Sequence, residues 1–136
     1  VQLPGVGGGE LPIFYMSRGE PGLGQSVRLN LFEPRYKELA RIVAREGASG
    51  GVRRFLYCGT RPTSMCTGAL VMVDSCCIRS DGTASISGKV AAKVRLGNVG
   101  AVEVSGDSLY HAGFTITRAS PSFSGGARGG GGEDSG

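Results

Sequence analysis

The chain has 136 residues, which is enough for one domain with a hydrophobic core and too few for two. Its 25 glycines and its lack of tryptophan indicate that a good part of the chain is not packed. The net charge of +4 comes largely from residues 33–54, which hold six basic and three acidic residues. Apart from Tyr36, no aromatic residue interleaves these charges, so a solvated helix face and a basic loop are favoured over a nucleic-acid site.

The hydropathy pattern argues against a membrane protein. No segment approaches the roughly 20 apolar residues that span a bilayer, and the N-terminus lacks a charged-then-apolar signal. We therefore expect a soluble, intracellular protein, in the cytoplasm or in an organelle, without a membrane partner. Because the chain begins at Val1 and not at methionine, we expect a fragment or a processed form.

Four cysteines, Cys58, Cys66, Cys76 and Cys77, raise the question of a metal site or a disulfide. Their spacing contains no Cys-x-x-Cys pair, and His111 is the single histidine of the sequence. Adjacent cysteines on a strand also point to opposite faces. The prediction is free thiols in a reducing compartment, with no metal and no cofactor.

Residues 1–10 are predicted to be a flexible leader. The run from Gly5 to Gly9 superficially resembles a phosphate-binding loop, but it lacks the preceding strand and the terminal Gly-Lys-Ser/Thr. Residues 119–136 are rich in Ser, Gly and Pro with almost nothing to bury, which predicts disorder.

The first half of the domain predicts two strands and a helix. Residues 11–16 are typical of an edge strand, and residues 26–32 alternate, with Val27, Leu29 and Leu31 on one face and Phe32 as a further buried residue. Pro34 suits the first turn of a helix that ends near Arg45. The apolar face of this helix is formed by Tyr36, Leu39, Ala40 and Val43.

The second half predicts short strands separated by turns. Residues 53–58, 68–78, 83–87, 90–96, 99–104 and 110–116 are the expected strands. Asp74 interrupts the longest apolar run and predicts a bulge or an exit to solvent. Asp81-Gly82 predicts a tight hairpin turn, and Gly97-Asn98 and Gly106-Asp107 predict further turns. The whole is an antiparallel, mainly β domain of seven or eight strands, a barrel or a sandwich, with one helix after the second strand.

Three short motifs carry a resemblance to a known family. Leu11-Pro12-Ile13-Phe14, Pro21-Gly22 and Phe32-Glu33-Pro34-Arg35-Tyr36 occur in the order and spacing typical of the N-terminal substrate-binding domain of Lon proteases. More loosely, Gly68, Asp81-Gly82 and Gly88 follow the order of that family. The resemblance covers about residues 11–118 and implies a PUA-like pseudo-barrel with a helix packed against it.

The resemblance also implies what the chain does not do. In Lon proteases a P-loop module hydrolyses ATP and a Ser/Lys dyad in another domain cleaves peptides, and no stretch here is similar to either. The chain resembles the non-catalytic Lon-type modules that occur alone, beside RING fingers in ubiquitin ligases, or in cereblon-like receptors. No RING spacing is present in this sequence. The implied function is a module that binds unfolded polypeptide or a partner protein in a proteolysis or ubiquitin-ligase system.

The residues themselves offer no catalytic constellation. His111 is expected to be a hydrogen-bonded surface or rim residue, because a lone histidine on a strand is seldom a catalyst. Asp74, Asp81, Glu103 and Asp107 lie near turns or strand ends and are not paired in sequence. We therefore predict that the protein is not an enzyme.

A polypeptide-binding module would offer an apolar groove or an open strand edge. The candidate contact residues are the large apolar side chains of two predicted strands and one loop: Phe14, Tyr15, Met16, Phe55, Tyr57 and Met65. Each has an alternative interpretation as a core residue, which is favoured. The Phe32-Glu33-Pro34-Arg35-Tyr36 motif is expected to fix the corner between strand and helix, with Glu33 and Arg35 held by charge-assisted hydrogen bonds.

Two other functions stay open at the level of sequence. RNA binding is the first alternative, because PUA-like domains resemble RNA-binding modules and the helix region is basic. A structural role within a larger protein is the second. The sequence leaves the partner and the oligomeric state undetermined.

Overall fold

The computed structural model describes residues 9–121. The elements are β1 (Leu11–Tyr15), β2 (Ser26–Leu31), α1 (Pro34–Ala48), β3 (Arg54–Cys58), β4 (Thr67–Ile78), β5 (Ala84–Val104) and β6 (Asp107–Ala119). The prediction of a mainly β domain with its helix after the second strand is confirmed. The predictions of a flexible leader and a disordered tail concern residues that, for the most part, lie outside the described range.

The six strands form one mixed sheet in the order β2-β5-β4-β3-β1-β6, with an additional pairing between β5 and β6. The pairings therefore run from β5 through β4, β3, β1 and β6 and return to β5. β1 and β3 are parallel, whereas the other pairs are antiparallel. The expectation of a purely antiparallel sheet is wrong, because β2 and α1 lie between β1 and β3 and provide the long crossover that parallel strands need.

The structure has fewer strands than the seven or eight predicted, because three expected strands are one continuous strand, β5. The predicted turn at Gly97 and Asn98 is an irregularity within β5, where the register shifts between Leu96 and Val99. The two residues stand opposite Gly113 alone, which is the arrangement of a β-bulge. Turn-type residues thus bend the strand without ending it.

The reversal predicted at Asp81-Gly82 is confirmed, although not as a tight primed turn, and the irregularity predicted at Asp74 is confirmed. The chain reverses between β4 and β5 at Asp81-Gly82, where Gly82 adopts a φ of +90° that side chains disfavour. The loop is longer than the predicted two-residue turn, since β4 ends at Ile78 and β5 begins at Ala84. Asp74 is exposed at a register shift of β4.

Two hydrophobic cores lie on opposite faces of the sheet. The helix-side core packs α1 against the sheet and includes Phe14, Leu31, Leu39, Phe55, Tyr57 and Ile86. The strand-enclosed core lies among the strands of the closed series and includes Ile13, Leu56, Cys58, Leu70, Val94 and Leu96. Neighbouring residues of one strand enter different cores, as Ile13 and Phe14 do, because side chains alternate along a strand.

Helix α1 covers the helix-side core with the predicted face. Tyr36, Leu39, Ala40 and Val43 are all buried. The helix runs to Ala48, past the predicted end near Arg45, and Gly50 then takes the left-handed backbone at φ +90°. Pro34 occupies the first turn, as expected.

Candidate functional site

A cavity of about 210 Å³ lies where β2 ends and α1 begins. We call it the corner cavity; its walls come from the end of β1, the end of β2 and the first turn of α1, and are formed by Phe14, Tyr15, Met16, Asn30, Phe32, Glu33, Arg35 and Tyr36. It is smaller than the roughly 300–1,000 Å³ of sites that bury drug-sized ligands. Its size therefore suits one side chain more than a cofactor.

Phe32 is the most exposed large apolar side chain of the cavity wall, at 68% exposure. The prediction that it is the buried end of a strand is wrong. Val27, Leu29 and Leu31 face the helix-side core, and the alternation of a strand turns the next residue to the opposite face. The same periodicity that identified β2 therefore contained the signal for an exposed Phe32.

Arg35 is fixed at the edge of the cavity by several contacts. Its Nε donates a hydrogen bond to Oε1 of Glu33 at 3.0 Å, and its Nη1 donates to the carbonyl oxygen of Ser108 at 3.3 Å. The guanidinium also lies 4.6 Å from the ring centroid of Tyr36 and 5.3 Å from that of Tyr15. The two hydrogen bonds are the charge-assisted bonds that the motif led us to expect.

The electrostatic setting keeps Arg35 cationic. Desolvation opposes the charge, but the hydrogen bonds with Tyr15 and Glu33 and the charges nearby outweigh it, so the pKa of Arg35 is raised. A cation held beside aromatic rings can contact either a carboxylate or a second ring.

Tyr36 and Phe14 form the buried side of the cavity. The Tyr36 hydroxyl is 3.4 Å from both the backbone nitrogen and the carbonyl oxygen of Tyr15, so it joins the start of α1 to the end of β1. Burial raises the pKa of Tyr36. The Phe14 ring contacts the rings of Tyr36 and Tyr57 at centroid distances of 4.7 and 5.2 Å.

A row of two tyrosines with an arginine at each end extends from the cavity along β1 and β6. We call Arg35, Tyr15, Tyr110 and Arg61 the arginine–tyrosine row. The rings of Tyr15 and Tyr110 are 6.0 Å apart, and Arg61 donates a hydrogen bond from Nε to the Tyr110 hydroxyl at 3.1 Å. These four residues come from four separate segments, so no local sequence pattern could identify the row.

The structure divides the five predicted contact residues other than Phe14 into three groups. Tyr15 and Met16 line the corner cavity with half-buried side chains. Phe55 and Tyr57 belong to the helix-side core, which is their alternative interpretation, and are 0% and 9% exposed. Met65 is 65% exposed in the loop before β4 and is absent from the cavity wall.

The remaining motif residues lie outside the corner cavity and contact the scaffold. Leu11 and Pro12 line a second cavity of about 210 Å³ between β1 and the C-terminal half of α1. The Pro21 carbonyl accepts a hydrogen bond from Lys93 Nζ at 2.9 Å, and the Gly22 amide donates to the Gln25 side chain. The other four stand on the β4–β5 side of the sheet: Gly68, Asp81, Gly82 and Gly88.

Gly88 has a packing requirement, because it pairs with Val73 across β4 and β5. A β-carbon at Gly88 would collide with the carbonyl oxygen of Met72. The glycine therefore permits close approach of the two strands.

His111 is buried, and the expectation of a surface or rim position is wrong. Its Nδ1 lies within hydrogen-bond distance of a Glu10 carboxylate oxygen, as the expected hydrogen-bonded histidine would. This contact joins β6 to Glu10, which directly precedes β1. Glu10 was not among the sequence candidates, and its separation from His111 along the chain gave no signal.

The four cysteines are free thiols. Burial, with a smaller contribution from neighbouring Cys66, raises the pKa of Cys58 to about 12, so this thiol is a poor nucleophile at neutral pH. Within residues 9–121, no group of three or more His, Cys, Asp or Glu residues could hold a metal ion.

Comparisons with known proteins identify the fold. A Lon N-terminal domain protein from Xanthomonas campestris superimposes with a TM-score of 0.57 at 18% identity, over 81% of this chain and 60% of that one. The N-terminal domain of the Mycobacterium avium complex Lon protease gives 0.53 at 12% identity, over 84% and 57%. The chain has a Lon N-domain-like fold. No family model and no curated protein matches the sequence.

The chain spans only part of each neighbour: 60% of the length of the first and 57% of the second. At such low identity the comparison establishes the fold and leaves the site to be argued from its own geometry. In the described part of the chain, no helix has the length and apolarity that crossing a membrane requires.

Proposed function

We propose that this chain is a non-catalytic protein-binding module that receives an apolar side chain of a bound polypeptide in the corner cavity. The polypeptide is an unfolded substrate or a partner protein. The observation that carries the proposal is the exposed ring of Phe32 beside a cavity of side-chain size. Large apolar groups exposed at a concave site are typical of protein recognition.

The chemistry of the wall supports a peptide ligand. Tyr15, Met16 and Phe32 offer apolar surface, and methionine adapts to side chains of different shape. Glu33 and Arg35 offer one carboxylate and one guanidinium at the rim, where backbone amides or charged side chains of a peptide could pair with them. The fold is similar to that of a Lon N-terminal domain protein and of the N-terminal domain of a Lon protease, which agrees with this proposal.

The test is fluorescence anisotropy with a labelled, permanently unfolded polypeptide. The variant Phe32→Ala should weaken binding at least about tenfold, in the range of a single aromatic hot spot. Its stability should change by less than about 0.5 kcal/mol, since the side chain is exposed. Val52→Ala is the matched control, because Val52 is also an exposed apolar residue, at 52%, but lies on the second cavity.

Two results would contradict the proposal. The first is saturable binding that Phe32→Ala and Val52→Ala weaken equally, which would place the polypeptide elsewhere. The second is no saturable binding of any unfolded polypeptide by the unmodified chain. Met65→Ala tests the remaining exposed candidate, and an effect there larger than that of Phe32→Ala would move the site to the loop before β4.

RNA binding is the second candidate, and the arginine–tyrosine row favours it. Bases can stack on tyrosine and arginine, and the sequence alone did not bring these residues together. The affinity for a labelled single-stranded RNA should then fall steeply with added salt, and Tyr110→Ala should weaken it. Polypeptide binding that persists at moderate salt, with no RNA binding, would exclude this candidate.

The setting of the module is also a proposal. We propose that it acts within a larger proteolysis or ubiquitin-ligase system in the cytoplasm. The structural neighbours support this, since one is a Lon N-terminal domain protein and the other is the N-terminal domain of a Lon protease. Purification of the full-length gene product with its associated proteins, followed by a degradation assay, tests it; a stable complex without proteolytic or ligase activity would contradict it.

A further inference from the structure

β2 is an edge strand with an open side. It stands at the end of the strand order and, among the described residues, pairs with β5 alone. The carbonyl of Gln25 accepts a hydrogen bond from the amide of Val90, which fixes the alternation of the ladder. The backbone groups of Ser26, Arg28 and Asn30 therefore point away from β5. Such an edge is a template for another extended chain.

Two basic side chains lie on the exposed face near this edge, one on β2 and one on β5. Arg28 and Lys89 are both exposed, and Lys89 stands opposite Ser26 in the register of β2 and β5. Neither forms an ion pair with any residue in the range 9–121. An added strand would bring its own side chains about 5 Å from Arg28, where opposite charges attract and like charges repel.

The open edge and the corner cavity are continuous. Asn30 has outward-pointing backbone groups and also lines the cavity. Phe32 follows it at the cavity wall, two residues further along the same face. A chain that pairs with β2 would therefore reach the cavity without changing direction.

We propose that the bound polypeptide adds to the edge of β2 as an extended strand. This inference rests on the function proposed above and specifies its ligand. The bound segment carries an apolar or aromatic side chain that enters the corner cavity. It also carries an acidic side chain against Arg28 and Lys89. Both project from one face, so they are two or four residues apart. Main-chain hydrogen bonds supply affinity, and the two side chains supply the sequence preference.

The first experiment uses labelled peptides of about eight residues, the length of an ordinary strand, measured by anisotropy against the full chain. The parent peptide has alternating apolar and acidic residues. Two derivatives carry N-methyl groups on alternate amides, one on the odd positions and one on the even positions. Because alternate amides of a strand point to opposite sides, one derivative should bind at least about tenfold more weakly, and the other should bind like the parent.

The second experiment changes the protein at one position in two ways. Arg28→Pro removes the outward N–H without breaking the ladder with β5, since edge strands tolerate proline where the N–H faces solvent. Arg28→Ala removes the charge and keeps the N–H. We expect Arg28→Ala to weaken the acidic peptide about threefold and to leave a glutamine-substituted peptide unaffected. Arg28→Pro, which removes both the charge and the N–H, should weaken the glutamine-substituted peptide about tenfold and the acidic peptide about thirtyfold.

The outcomes separate this inference from the proposal beneath it. If Phe32→Ala weakens the peptide but the two methylated derivatives bind equally, polypeptide binding stands and strand addition is overturned. If the unfolded polypeptide binds and no peptide does, strand addition is overturned and the proposed function stands. If neither binds, the proposed function itself fails. The methylated peptides need no protein variant, so the inference can be overturned even if Arg28→Pro does not fold.

Discussion

The two cores of this domain are covered in different ways. Strands of the closed series surround the strand-enclosed core, whose members are mostly aliphatic and include the buried thiol of Cys58. The helix-side core is covered by one helix and contains the aromatic contacts of Phe14 with Tyr36 and Tyr57. The helix begins at Pro34, and the corner cavity opens beside its first turn.

This difference indicates which core contributes residues to both stability and binding. Backbone hydrogen bonds between paired strands border the strand-enclosed core. The helix-side core is bordered, where the helix begins, by side chains that a ligand can contact. This rim of side chains includes Tyr15, Phe32, Glu33 and Arg35. Changes to the helix-side core should therefore affect both stability and binding, and changes to the strand-enclosed core should affect stability alone.

The largest expected effect comes from two adjacent residues of β1. Ile13 and Phe14 are 0% and 5% exposed and belong to different cores. Phe14→Ala should lower the free energy of unfolding by about 3–5 kcal/mol, and Ile13→Ala by about 2–5 kcal/mol, because each leaves a cavity. Urea denaturation measures both. Only Phe14→Ala removes a wall of the corner cavity, so only this variant should weaken polypeptide binding in the folded protein.

The milder pair Phe14→Leu and Ile13→Val keeps the comparison measurable if the alanine variants unfold. Ile→Val substitutions cost about 0.5–1.5 kcal/mol in protein cores. Equal weakening of binding by the Ile13 and Phe14 variants would break the comparison, since it would mean that general loss of stability explains the effect.

The next effect concerns the rim itself. Arg35 has 19% of its side chain exposed and bonds to Glu33 and to the Ser108 carbonyl. Arg35→Ala should lower the free energy of unfolding by about 1–3 kcal/mol, because hydrogen bonds from a charged group are lost. Arg61→Ala is the control within the same row, and its exposed side chain should contribute less than about 0.5 kcal/mol.

Arg35→Lys sharpens this prediction. It keeps the charge but loses the planar group that lies over Tyr15 and Tyr36. A melting temperature close to that of Arg35→Ala would assign the stabilisation to geometry and stacking. Unchanged melting of Arg35→Ala would show that the motif does not fix the corner.

The sequence predicted those parts of the fold that depend on periodicity. The sequence predicted the alternation of β2, the buried face of α1 and the irregularity at Asp74, because each follows from a local pattern of apolar and polar residues. The parallel pairing of β1 with β3 was not predicted, since periodicity carries no strand direction. Gly97-Asn98 was misassigned because the same residue types suit turns and bulges.

The sequence pointed to part of the corner cavity. Tyr15 and Met16, two candidate contact residues for which the core interpretation was favoured, line the cavity, whereas Phe32 was assigned to the core against the alternation of β2. The sequence did not indicate Tyr110 and Arg61, because the row to which they belong joins segments that are distant in sequence. The open edge of β2 could not be predicted either, because it depends on the strand order, which is known only from the pairing of strands in three dimensions.

The smallest expected effect at neutral pH tests how tightly the strand-enclosed core is closed. Cys58 is 0% exposed, and burial raises the pKa of its thiol from about 9 to about 12. At pH 8 its thiolate fraction is on the order of 1,000-fold below that of an unperturbed thiol. Iodoacetamide followed by mass spectrometry should therefore modify exposed Cys77 and spare Cys58.

The same shift predicts how stability depends on pH. The folded state keeps the Cys58 proton above pH 9, where the unfolded state loses it, so the folded state binds more protons in that range. This contribution is fully present below pH 9 and is lost as pH rises from 9 towards 12. Burial also raises the pKa values of Tyr36 and Tyr57, so Cys58→Ala, compared with the parent chain by urea denaturation at each pH, isolates the thiol. Modification of Cys58 as fast as Cys77 in the native protein would mean that the strand-enclosed core opens as readily as the surface, and the distinction between the two cores would fail.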